Sequence, residues 1–167
     1  MRELTNAAVS DEIKQEILKI IAEVEAMTPK ELEPDLLPIK GFPDVPEWHR
    51  FELDIWTLGE KIRQLLLKNK ALRKDKDIFE KILQISLNPK SKRGRQSFIM
   101  LLGNTNYTHF ANKLITQIAD KFVYGQVLHS IYKMRATGYV EIISPYCNDK
   151  KAWIRNEAKR YVEKFDK

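Results

Sequence analysis

The chain has one cysteine, Cys147, among its 167 residues, so no internal disulfide can form. A reducing, cytoplasmic setting is therefore expected. Paired cysteine spacings and a His-Glu-x-x-His helix are both missing, so no metal is expected. The three histidines, His49, His109 and His129, stand far apart, and His49-Arg-Phe-Glu52 matches a metal-binding turn only by chance. Gly103-Asn-Thr-Asn lacks the second glycine and the lysine of a phosphate-cradling loop, which removes the nucleotide fingerprint and with it any expected cofactor. No apolar run approaches the ~18 residues of a membrane span. The N-terminal Met-Arg-Glu-Leu-Thr-Asn lacks a secretory apolar core, so a soluble protein with no membrane partner is expected. No Ser–His–Asp arrangement can be inferred from residue order.

What the chain does have is a lopsided charge. Residues 1–50 hold 6 Lys/Arg against 11 Asp/Glu, residues 51–100 hold 12 against 6, and residues 101–167 hold 11 against 6, for a total of +6. An acidic N-terminal third thus precedes a basic body. Either the acidic segment neutralises the body, or the body offers a basic face to an acidic partner.

Apolar periodicity is helical throughout. Ser10 reads as an N-cap, followed by Ile13, Ile17, Ile20, Ile21 and Val24 at helical spacing, a stripe for the core. Thr28-Pro-Lys-Glu31 has the form of a capping box and predicts a short helical turn. Five of the seven prolines fall between residues 29 and 46, which forbids a long helix or sheet there. Leu32, Leu36, Leu37, Ile39 and Phe42 make this stretch too apolar for a free linker, so an ordered strap across the helices is expected. Pro46 opens the clearest helix, with Trp48, Phe51, Ile55, Leu58, Ile62 and Leu65 in steps of three and four.

Two basic clusters follow. Residues 68–76 hold five basic residues in nine, and residues 90–95 read Lys-Ser-Lys-Arg-Gly-Arg. They supply the candidates for a phosphate-facing edge: Lys70, Arg73, Lys74, Lys90, Lys92, Arg93 and Arg95. A solvated connector is the competing reading.

From Asp77 on, helical segments recur with a period of about 30 residues. Arg95, Gly125 and Arg155 open three of them. In the last, Asp149, Trp153-Ile154, Arg155, Ala158 and Val162 follow the pattern Asp-x-x-apolar-Arg-x-x-Ala-x-x-x-apolar, with one extra residue before the apolar position. Residues 77–167 thereby resemble HEAT-type helical repeats, most closely over 120–165. Gly125 and Leu128, and Arg95 and Phe98, stand at the matching arginine and alanine positions of the earlier units. The unit is shorter than the family's ~40–47 residues. The resemblance implies an all-α superhelix of stacked helix pairs in a single domain, with residues 1–76 as capping helices and strap. It also implies that Arg155 bonds a neighbouring repeat.

The expected function is a non-catalytic binding module for another protein. Candidate contacts are Tyr124, Gln126, Tyr132 and Lys133, with Arg135, Trp153 and Arg160 beyond them. The alternative is a nucleic-acid binder using the basic clusters, related by fold analogy to helical-repeat alkylpurine DNA glycosylases. A small immunity or regulatory protein is a third class, with no motif of its own here.

Overall fold

The computed structural model describes residues 2–167, with side chains from Thr5 onward. In chain order the helices are α1 (Arg2–Met27), α2 (Arg50–Lys68), α3 (Lys76–Ser86), α4 (Gln96–Leu101), α5 (Ala111–Leu114), α6 (Tyr124–Lys133), α7 (Val140–Ile143) and α8 (Ala152–Phe165). Short 3-10 turns join several of them. Among the described residues there is no strand, only one isolated antiparallel bridge between Pro38 and Pro46. None of the described helices is long and apolar enough to cross a membrane. The chain divides into two compact units, Met1–Phe98 and Ile99–Lys167.

In the first unit, α1 packs on α2 and α3. The stripe read from the sequence is the buried one: Ile17, Ile20, Ile21 and Val24 are in the core, as are Ile55, Ile62, Ile78, Phe79 and Ile82 of α2 and α3. Three boundaries differ from expectation. Ser10 lies inside α1, where continued helical propensity outweighs its capping chemistry. Thr28 closes α1 instead of opening a turn: its amide (3.0 Å) and its hydroxyl (2.7 Å) both donate to the Val24 carbonyl. Helix α2 begins at Arg50, after Trp48, because residues 37–47 fold back as a loop and His49 is extended at the N-cap. Glu52 Oε2 accepts the His49 amide at 2.8 Å and so caps α2. Asp75 caps α3 by accepting the Ile78 amide (3.1 Å) and pairs with Lys14 of α1 at 2.9 Å. Burial pushes the Asp75 carboxyl up, but Lys14 and the backbone amides outweigh it and hold the group below its usual value.

The strap between α1 and α2 is ordered, and its anchors are cations. Its middle folds back as a small loop, with the Ile39 amide donating to Val45 O (2.8 Å) and the Glu47 amide to Leu37 O (2.9 Å). Gly41 takes φ +86° at the turn, a conformation that favours glycine. The prolines remove backbone donors, leaving strap carbonyls without regular partners. Side chains take over. Lys92 Nζ donates to Glu33 O (2.9 Å) and to Asp35 Oδ1 (2.7 Å). His49 Nε2 lies 2.8 Å from Pro34 O, and Arg93 donates to Pro46 O (2.7 Å) and Glu47 O (2.6 Å). The apolar strap residues do not lie across the helices as expected: Leu32, Leu37 and Phe42 are exposed.

In the second unit, α6 and α8 run side by side in the same direction. Gly125 lies against Trp153 and Ile154, His129 Nδ1 is 3.3 Å from Glu157 Oε2, and the Tyr132 ring meets Arg160. The first partners are 28 positions apart in each case, and the same offset links Tyr146, whose hydroxyl donates to Ile118 O (3.0 Å). A Cβ at position 125 would come within 1.9 Å of Trp153 Cη2, so glycine is what lets the two helices approach there. Ser130 Oγ donates to Ile99 O at 2.7 Å, and the Tyr161 hydroxyl donates to Ala136 O. The segments expected as first helices, around Phe110–Ile118 and Tyr139–Cys147, are instead short α and 3-10 pieces. The bonds of Arg155 are local and not to a neighbouring segment as expected. The side chain donates to Asp149 O (2.7 Å) and Lys150 O (2.9 Å), tying down the turn that leads into its own helix.

Candidate functional site

The basic clusters fare differently. Lys92, Arg93 and Arg95 are buried, so they do not form the phosphate-facing edge expected of them. Arg93, 6 % exposed, forks onto Glu52, 0 % exposed: Nε to Oε1 is 3.0 Å and Nη2 to Oε2 is 3.2 Å. The Arg93 backbone amide adds a bond to Oε1 at 3.0 Å, and its guanidinium lies 4.8 Å from the Trp48 ring centroid. Arg95 Nη1 donates to Ser86 O at 2.9 Å and so closes the end of α3. Gly94 sits between them, where a Cβ would come within 2.8 Å of Glu52 O and of Ile55 Cβ. Lys92 adopts φ +47°, a left-handed conformation that costs about 1–3 kcal/mol in a non-glycine residue and is held by its two strap bonds. This loop is an internal staple. Of the other members, Lys70 and Lys74 are exposed, Lys90 is half-buried, and Arg73 Nε donates to Leu66 O at 3.2 Å.

The protein-contact candidates all lie in the second unit and fall into two groups. Near the start of α6 and α8, Tyr124 donates its hydroxyl to Asp149 Oδ1 (3.1 Å) and packs beside Tyr146, with ring centroids 5.8 Å apart. Burial, then the bond to Asp149, pushes the Tyr124 hydroxyl up to about 12. Trp153 is 48 % exposed, with its inner edge over Gly125, and Gln126 is half-buried. This corner is mainly a packing feature.

The second group makes a site. Tyr132, Lys133, Arg135 and Arg160 line one cleft of about 440 Å³ with Lys164 and the Gly103–Thr105 turn. No carboxylate is among the lining residues. The Tyr132 ring organises the cations: the Arg160 guanidinium lies 4.5 Å and the Lys164 ammonium 4.9 Å from its centroid. Glu157, just outside, accepts from Arg160 Nη1 at 3.1 Å and steers it. Lys133 and Arg135 carry no ion pair among the described residues. Sequence reasoning missed Lys164; its signal was the four-residue step from Arg160, which puts both on one face of α8.

Arg135 is unusual in its backbone. Helix α6 ends in a Schellman motif, with the Ala136 amide on Ile131 O (3.4 Å) and the Arg135 amide on Tyr132 O (3.0 Å). Arg135 fills the left-handed position at φ +55°, where glycine or asparagine is the low-cost choice.

Among the described residues no cluster of His, Cys, Asp and Glu could hold a metal ion. Compared with protein-family models, curated proteins and solved structures, the chain matches none.

Proposed function

We propose that the protein is a non-catalytic binding module, built on a short HEAT-like stack, that holds an acidic segment of a partner protein in the cleft of its second unit. The carrying observation is the convergence of Lys133, Arg135, Arg160 and Lys164 on one cleft that no carboxylate lines. Such a cleft attracts negative charge, and Lys133 and Arg135, exposed and in no ion pair among the described residues, can exchange water for a ligand at low cost. The constant offset between α6 and α8, matched by Tyr146 and Ile118, supports the stacked-repeat part of the reading. In such stacks, neighbouring repeats jointly present one binding surface.

The nucleic-acid reading is weaker, because three of its seven residues are spent inside the first unit on Glu52, Asp35, Ser86 and the strap. The test is fluorescence anisotropy of a labelled peptide rich in Asp and Glu. Binding should weaken as salt rises and should weaken about tenfold in an Arg160→Gln, Lys164→Gln variant. Unchanged binding in that variant, with the fold intact by circular dichroism, would overturn the assignment.

A further inference from the structure

Resting on that reading, we infer that the anion the cleft is built for is a phosphate monoester on the partner segment, not a run of carboxylates alone. Three observations point the same way.

The first is charge. Two guanidinium and two ammonium groups line the cleft, and Glu157, outside the lining, offsets one of them through Arg160. A single carboxylate answers one cation. A phosphate monoester carries close to two negative charges at neutral pH and presents three acceptor oxygens, so it can engage several of these donors at once.

The second is the Arg135 backbone. Placing lysines at helix ends is explained by the helix dipole, and Lys133 and Lys164 both sit in a last turn. The dipole does not explain why the left-handed residue of a Schellman motif is an arginine. That position is strained for any residue with a Cβ, and here it is held by a residue whose guanidinium lines the cleft. Arginine is the side chain whose planar fork matches phosphate oxygens two at a time.

The third is the wall. The cleft is open and has a volume of about 440 Å³, room for a phosphorylated side chain reached from solvent. Asn104 and Thr105 also line it and add uncharged polar groups to the cationic set.

Four probes separate the possibilities in one anisotropy and NMR series: an acidic peptide centred on phosphoserine, the same peptide with serine, inorganic phosphate, and a short DNA duplex. The phosphoserine peptide should bind about tenfold or more tighter than the serine peptide. Inorganic phosphate should compete weakly and shift the amides around Arg135 and Arg160. Arg135→Gly keeps the backbone conformation, so it should fold normally and lose most of the phosphate preference. Equal affinity for the two peptides would overturn the phosphate inference while leaving the acidic-segment reading in place. Failure of both peptides to bind would overturn both. Tighter binding of the duplex than of the phosphopeptide, insensitive to Arg135→Gly, would also overturn the inference.

Discussion

Glutamate 52 is the residue on which the first unit's polar interior turns, and Glu52→Gln is the sharpest probe of it. The carboxylate is fully buried and accepts three kinds of bond: from the His49 amide, from the Arg93 amide and from the Arg93 fork. The substitution keeps the shape and one acceptor oxygen, but it turns the other into a donor facing donors. The Arg93 guanidinium, 6 % exposed, then loses its carboxylate counter-charge while the Pro46 and Glu47 carbonyls stay. Stranding one member of a buried pair costs about 3–5 kcal/mol. For a chain of this length that is a fall in Tm of about 6–20 °C. Urea titrations followed by helical circular dichroism would give the free energy, and thermal melts the Tm. A Glu52→Gln, Arg93→Met double variant removes the stranded charge. It should therefore be less destabilised than the sum of the single variants by about 1–3 kcal/mol. A Glu52→Gln loss below about 1 kcal/mol, or strict additivity in the cycle, would refute the claim that the pair is desolvated and coupled.

Three further outcomes are expected. Arg135→Gly should raise stability by about 1 kcal/mol in the same urea titration, since glycine relieves the left-handed strain at φ +55° while the motif's hydrogen bonds stay. Gly94→Ala should lower it by about 1–3 kcal/mol, because the new methyl would meet the Glu52 carbonyl, which is backbone and cannot swing away. Tyr124, raised to about 12, keeps its proton in the folded state after an unfolded tyrosine has lost its own near 10. The folded form then holds more protons, so this residue's contribution is complete below pH 10 and is lost as pH rises towards 12. Tyrosinate absorbance and melts of Tyr124→Phe against the parent protein over that range would check it, the variant showing the shallower decline.

Much of the helical frame was legible because its signals are local and repeat. Ile17, Ile20, Ile21 and Val24 keep helical spacing and are buried, as are Ile55 and Ile62. Helix ends were less legible. Ser10 and Thr28 have the chemistry of N-caps, yet one lies within α1 and the other closes it, since capping residues only exploit a break that the neighbouring packing decides.

The staple at residues 92–95 could not be seen by composition, which reads Lys-Arg-Gly-Arg as a solvated run. Its partner Glu52 lies 41 positions away, and its other acceptors are carbonyls, which every residue has. One indirect signal existed: five prolines in the strap imply orphaned carbonyls, and something must donate to them. The cleft was half legible. Tyr132, Lys133, Arg135 and Arg160 were chosen for type and position, but Tyr124 and Trp153, chosen on the same grounds, serve packing a helix length away.

The most direct test of the central claim is an amide chemical-shift map of the intact protein titrated with the phosphoserine peptide. The account predicts that the largest shifts fall on residues 103–105, 132–135 and 160–164, the three stretches that line the cleft. Shifts centred instead on residues 68–76, with the cleft amides unmoved, would contradict it.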